Sequence, residues 1–179
     1  MKIGRVSLML ISCALAGCSS RPESPRASQP GSAYAPRPRP LPGAVSPATY
    51  IAQAASIDLF VVRSSELAQQ RSPDPRVRNV AKALTAAHEG TAAQLSFAGR
   101  RLNLLPGATM LPQHQAMLDE LTASADFDRT YKRLQLAVHG TAISLHSDYA
   151  RRGDSPTLRP VAANAATVER SHLDMLRRL

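Results

Sequence analysis

The sequence predicts an all-α fold, an antiparallel four-helix bundle with a short extra helix in the connection between the second and third long helices. Three observations lead there. From residue 47 to residue 179 apolar side chains recur at steps of three and four, the spacing of one helix face, and no alternating strand pattern persists. Ala and Leu are abundant in this stretch, and the chain has no Trp. Helix starts are marked by Ser46-Pro47, Asp74-Pro75 and Ser155-Pro156, each a capping residue followed by proline at the first helical position. Short links join the first helix to the second and the third to the fourth, so each pair runs antiparallel.

The first helix, about 48–70, has the least regular stripe: Ile51, Ala55, Asp58, Val61 or Val62, Ser65 and Ala68. The second reads Val77, Ala81, Leu84, His88, Thr91, Leu95, Ala98 and Leu102. A shorter helix covers Gln113–Thr122. The third long helix reads Phe127, Tyr131, Leu134, Val138, Ala142, Leu145 and Tyr149, and the fourth Leu158, Val161, Ala165, Val168, His172, Leu176 and Leu179. Pro160 is expected to kink the last helix or delay its start, because it lacks an N–H and crowds the preceding turn. Arg152-Gly153-Asp154 reads as the turn that ends the third long helix.

Ahead of the bundle lie two segments of different character. Lys2 and Arg5 precede an apolar run from Ser7 to Leu15, the order of a secretory signal and too short to span a bilayer. Its end, Leu15-Ala16-Gly17-Cys18, resembles the bacterial lipobox. That resemblance implies diacylglycerol on the Cys18 thiol, cleavage before it and acylation of the new amine. Ser19, where inner-membrane lipoproteins often carry Asp, implies sorting to the outer membrane. From Ser19 to Thr49 lie eight of the fourteen prolines, with almost no long apolar side chains, too little to build a core. Extended at ~3.1 Å per residue, such a tether reaches up to ~100 Å. The expected organisation is a signal peptide at 1–17, a lipidated cysteine with a Pro-rich disordered tether at 18–46, and the bundle at 47–179. With Cys13 discarded and Cys18 consumed by lipid, the mature chain has no thiol for a disulfide, a nucleophile or a metal.

The chain carries +9. Within 47–179, sixteen basic and twelve acidic residues leave +4, and most of the cations are arginine. Many sit near helix C-termini, where they complement the dipole. The expected partners are the membrane, through lipid on Cys18, and anionic envelope polymers or another envelope protein. Nucleic acid is not expected, since no aromatic residues interleave with the basic clusters. The G-x-S-x-G, phosphate-loop, dinucleotide and H-E-x-x-H signatures are all absent.

The stretches "YIAQAASIDLF", "NVAKALTAAHEGTAAQL", "FDRTYKRLQLAVHGTAISLHSDYA" and "VERSHLDML" resemble the DUF4142 family, a ferritin-like bundle of exported bacterial proteins. The resemblance covers about 50–179. It implies one histidine in each of the second, third and fourth helices, here His88, His139 and His172, and the Phe127-Asp128 opening of the third. Members usually carry Glu where this chain has Val61, and Asp where it has Ala87 and Val138.

Counting from the hairpin turns gives each residue a depth. Asp58 lies fifteen residues before Pro73 and His88 fifteen after, while His139 lies fifteen before Asp154 and Glu169 fifteen after. His172 is one turn beyond Glu169 on the same face. Asp58, His88, His139, Glu169 and His172 are thereby expected in one layer. Glu169-x-x-His172 has the spacing of di-iron bundles, which use two such motifs plus two further glutamates. This chain has one, so a full di-iron site is not expected. A mononuclear site for zinc, copper or iron is the alternative to a structural role for these histidines. With three family carboxylates missing, the sequence favours the structural role and no cofactor. His139, beside the seam residue Val138, reads as facing a groove or solvent, and His114 and His146 read as surface residues. The expected protein is a lipid-anchored bundle on the periplasmic face of the outer membrane. Its expected role is non-catalytic, envelope binding or stress-related. A ferritin-like metal-binding or redox role is the alternative, and an envelope enzyme of unknown type stands third.

Overall fold

Two of the three expected helix starts have their side-chain cap. In a computed structural model describing residues 45–179, the Ser46 side chain accepts from the Thr49 N–H and opens α1, Pro47–Arg71. Asp74 accepts from the Arg76 N–H and opens α2, Pro75–Arg100. Proline stands first in both helices, where its missing N–H costs no intrahelical bond. The short helix α3, Pro112–Ala123, is followed by α4, Phe127–Arg152, and α5, Leu158–Arg177. Among the described residues there is no strand, and no helix is long and apolar enough to cross a membrane. Cys18 and the Pro-rich tether lie outside the described residues, apart from its last two positions.

Two boundaries show how local chemistry ends or starts a helix. The Leu158 and Arg159 N–H groups turn back onto Ser155, and α5 begins only after that turn. Pro160 therefore falls in its first turn, where an N–H has no intrahelical acceptor. The start is delayed, as the proline predicted. At the end of α2, Gly99 O accepts from the N–H groups of Leu102 and Leu104, and Asn103 takes the left-handed conformation with φ 56°. A Cβ on Gly99 would stand 2.2 Å from the Leu104 carbonyl oxygen, so the turn requires glycine.

α1 packs on α2 and α4, and α5 packs on the same two helices. α3 lies over α1 and α4. The shortness of the α1–α2 and α4–α5 links makes both pairs antiparallel hairpins. Because α1 meets three helices, it buries residues around much of its circumference: Ile51, Ala54, Ile57, Phe60 and Val61, but also Ser56, Ser64 and Ser65. Its apolar stripe was irregular in sequence for that reason. The interior is two apolar clusters. One gathers Phe60, Leu84, Tyr131, Leu134 and Leu176, the other Tyr50, Ile51, Leu95, Tyr149 and Leu158. Polar residues of all four long helices lie between them along the chain.

The expectation that His114 and His146 are surface residues is not met. Both are buried. His114 Nδ1 lies 2.6 Å from Ser56 Oγ, which also accepts the Leu111 N–H, so one α1 serine fixes the start of α3. His146 Nδ1 lies 3.0 Å from the Tyr50 hydroxyl, and the Tyr50 ring stacks on Tyr149. Their partners are neutral hydroxyls, which a search for charged neighbours passes over.

Burial lowers both imidazoles, that of His146 to about 4. Between about 4 and the ordinary ~6.5 the unfolded chain binds a proton at His146 that the native state refuses. Stability is therefore lost as pH falls through that window, by on the order of 3 kcal/mol for this residue. Denaturant unfolding at pH 4 and pH 7 should show a smaller difference in His146→Gln than in the unaltered protein. An equal difference would show that His146 does not drive the acid loss.

Candidate metal centre

His88 stands at the middle of α2 with no exposed surface. Its Nδ1 lies 2.8 Å from Asp58 Oδ1, and the Thr91 hydroxyl donates to the same oxygen at 2.9 Å. Asp58 comes from α1 and Thr91 from the next turn of α2, so the carboxylate is held from two helices. His139, on α4, is also fully buried, and its Nδ1–H donates to the Gln135 carbonyl one turn earlier at 2.8 Å. Gln135 Nε2 in turn donates to Ser64 Oγ on α1. The expectation of His139 facing a groove or solvent fails because α4 packs against α1, α3 and α5, which buries both Val138 and His139.

Glu169 and His172 come from adjacent turns of α5 and are both buried. Glu169 Oε1 is 3.8 Å from His88 Nε2, and Oε2 is 3.5 Å from His139 Nε2. These separations lie outside hydrogen-bond range for this chemistry. The three imidazole centroids stand 5.3 to 5.5 Å apart. The five residues placed in one layer by hairpin counting are thus together: four around a common centre, and Asp58 behind His88.

What marks the centre is the set of atoms left without partners. His88 Nε2, His139 Nε2, Glu169 Oε2 and His172 Nδ1 are all buried and make no hydrogen bond. An unpaired buried polar group costs ~1–3 kcal/mol, and four in one place call for an explanation such as an ion. The outer hydrogen bonds sharpen the point. Burial, with His88 adding to it, pushes the His139 imidazole down to about 3, so the ring is neutral and Nε2 carries a lone pair. Burial and then His88 push His172 down to about 4. Burial pulls His88 down too, but the Asp58 hydrogen bond and the Glu169 and Asp58 charges outweigh it and hold the ring above its ordinary value. Burial pushes the Glu169 carboxyl up to about 7, against the pull of His88. A histidine whose outer N–H is fixed on a carboxylate or backbone carbonyl presents its other nitrogen as a ligand, the arrangement found behind metal-bound imidazoles.

The residues fit a metal. His88, His139, Glu169 and His172 each offer one ligand atom, and these atoms lie within 4.8 Å of one another. Donors bound at ~2.0–2.2 Å stand ~3.3–3.6 Å apart around a tetrahedral ion and up to ~4.4 Å apart when trans, so the widest pair closes by between a few tenths of an ångström and about 1.5 Å. The positions of the family carboxylates do not supply a second site. Val61 and Val138 are buried in the apolar cluster beside the layer.

The family model for Domain of unknown function (DUF4142) matches residues 33–179. The chain belongs to the DUF4142 family. No curated protein matches it. Among solved structures, CopM in its Cu(II)-bound form has a TM-score of 0.65 at 16% identity, over 75% of this chain and 95% of that one. CopM in its Cu(I)-bound form scores 0.63 at 14% identity, over 75% and 94%. A DUF305 fragment from Deinococcus radiodurans scores 0.64 at 17% identity, over 74% and 96%. At these identities the likeness shows only the helical-bundle fold that this chain shares with them.

Sequence reasoning missed the outer shell. Thr91 was legible only as a member of the α2 stripe, one turn after His88. Gln135 contributes its backbone carbonyl, which any residue possesses, and so left no signal. Removing the outer carboxylate tests how far the layer depends on it. Asp58→Ala leaves the His88 N–H without its acceptor, while the Thr91 hydroxyl keeps the His88 carbonyl at 3.1 Å, and should cost ~1–3 kcal/mol in the metal-free protein. Chemical denaturation of metal-stripped protein measures this, with Asp58→Asn expected to lose less.

Proposed function

We propose that this DUF4142 protein is a non-catalytic metal-binding protein that takes one transition-metal ion between His88, His139, His172 and Glu169. The convergence of four unpaired buried ligand atoms is the observation that carries the reading. Three imidazoles and a carboxylate, with no thiolate, suit a divalent ion such as Cu(II) or Zn(II) better than a soft monovalent one. A bound ion would take the place of the proton that Asp58 and Glu169 favour on His88, and would put positive charge among all four donors. Four protein donors around one ion leave no open position for substrate, as in structural rather than catalytic sites. The copper-bound CopM neighbours make copper the first ion to test. The signal-like opening and the lipobox at Cys18 support an exported, lipid-anchored protein at the periplasmic face of the outer membrane, holding its metal in the envelope.

Metal-stripped protein titrated with Cu(II) or Zn(II) should bind one equivalent. A ligand that binds only the native state stabilises it by ~2.7 kcal/mol at a hundredfold excess over Kd. That gain should disappear in His88→Ala, His139→Ala and His172→Ala, shrink in Glu169→Gln, and persist in His114→Ala. Equal stabilisation of all these variants, or none in the unaltered protein, would overturn the reading and leave the histidines structural.

The anchor is tested separately. Mass spectrometry of protein from membranes should show acylation on Cys18, and Cys18→Ala should release or mislocalise the chain. An unmodified mature N-terminus at another residue would rule the anchor out.

A further inference from the structure

The described chain enters the bundle at Val45, at the N-terminus of α1. Because the hairpins are antiparallel, the same end carries the C-termini of α2 and α4 and the N-terminus of α5. Two features coincide there. Phe97 and Leu105 are the exposed large apolar side chains among the described residues, at 60% and 71% exposure. Phe97 lies in the last turn of α2 and Leu105 in the loop that follows. Around them stand exposed arginines from three helix ends: Arg100 and Arg101 at the end of α2, Arg151 and Arg152 at the end of α4, and Arg159 at the start of α5.

Both ends of the bundle carry cations, so the difference between them decides. At the far end most of the arginines are engaged, Arg178 being the exposed exception. Arg76 pairs with Asp74, Arg177 with Asp174, and Arg71 donates to the Thr122 carbonyl and lies over the Phe127 ring. At the entry end Arg151 and Arg152 share the single carboxylate of Asp148. Arg100 reaches only Ser96 Oγ and the Phe97 ring, and Arg101 and Arg159 have no carboxylate partner among the described residues. Surplus positive charge beside unburied apolar side chains, at the end where the described chain begins, matches a surface of anionic headgroups over hydrocarbon.

We infer that the entry end of the bundle, with Phe97, Arg100, Arg101 and Arg159, is a peripheral docking face for an anionic phospholipid membrane. The inference rests on the lipid-anchored reading above, but its test does not use the lipid. The docked bundle lies against the bilayer instead of standing at the full reach of its tether. Phe97 enters the interface while the arginines meet phosphates.

The chain from position 18 onward, carrying Cys18→Ala and so without acyl groups, is mixed with vesicles of phosphatidylcholine alone and of phosphatidylcholine with phosphatidylglycerol. The protein has no Trp, so Phe97→Trp provides a single reporter. Its emission should shift to the blue with the anionic vesicles only. Binding by co-sedimentation should weaken roughly fivefold for each arginine removed in Arg100→Gln and Arg101→Gln, the effect of one basic side chain near an anionic surface. Arg177→Gln with Arg178→Gln removes the same charge from the far end and should change binding little. No binding to anionic vesicles, no emission shift at position 97, or equal loss from both ends would overturn the docking face. Acylation of Cys18 stands or falls on its own measurement.

Discussion

The contact between His88 and Asp58 organises the middle of this bundle. It ties α2 to α1 in the plane where the apolar interior is interrupted, and it sets which nitrogen of His88 points inward. A buried carboxylate is tolerated there because the Thr91 hydroxyl and the His88 ring both meet it. On the other hairpin the Gln135 carbonyl does the same for His139. The outward bonds are satisfied and the inward atoms are not. A purely structural polar layer tends toward the opposite pattern, with hydrogen bonds made inside it, because each unmet group lowers stability.

That cost explains the division of the core. The Phe60, Leu84, Tyr131 and Leu176 cluster and the Tyr50, Ile51, Leu95 and Tyr149 cluster each supply apolar burial of their own. Burial of one large apolar side chain contributes ~1.5–3 kcal/mol, so a few such residues on either side offset one unsatisfied layer. Small residues help the helices close over it: Ala162, Ala165 and Ala166 are all buried on α5. Folding thus holds the four inward atoms in place without needing any one of them to be paired.

The fold was legible because its signals are local. Ser46-Pro47 and Asp74-Pro75 act within one turn, and the three- and four-residue spacing of α2, α4 and α5 reports a single buried face. Depth in the bundle was legible too, since equal residue counts from a tight turn mean equal height, and Asp58 and His88 meet at 2.8 Å. What was not legible depends on a third neighbour. His139 is buried because α4 touches more than one helix, and His114 because α3 folds back onto Ser56. The family carboxylates absent at 61, 87 and 138 weighed toward a structural reading of the histidines. The sequence could not show that four other atoms would converge without partners.

The arrangement of donors across the hairpins gives the proposed ion a consequence beyond occupancy. His88 belongs to the α1–α2 hairpin, whereas His139, Glu169 and His172 belong to the α4–α5 hairpin. Within each hairpin a turn of a few residues keeps the helices together even when packing loosens. Between hairpins there is no such covalent restraint except the longer connection through α3. An ion held by donors from both sides would therefore act as a cross-link on a seam otherwise closed by packing and a few hydrogen bonds, such as those of Tyr50 with His146 and of Gln135 with Ser64. Its binding energy would appear as resistance to separation of the hairpins rather than to fraying of single helices.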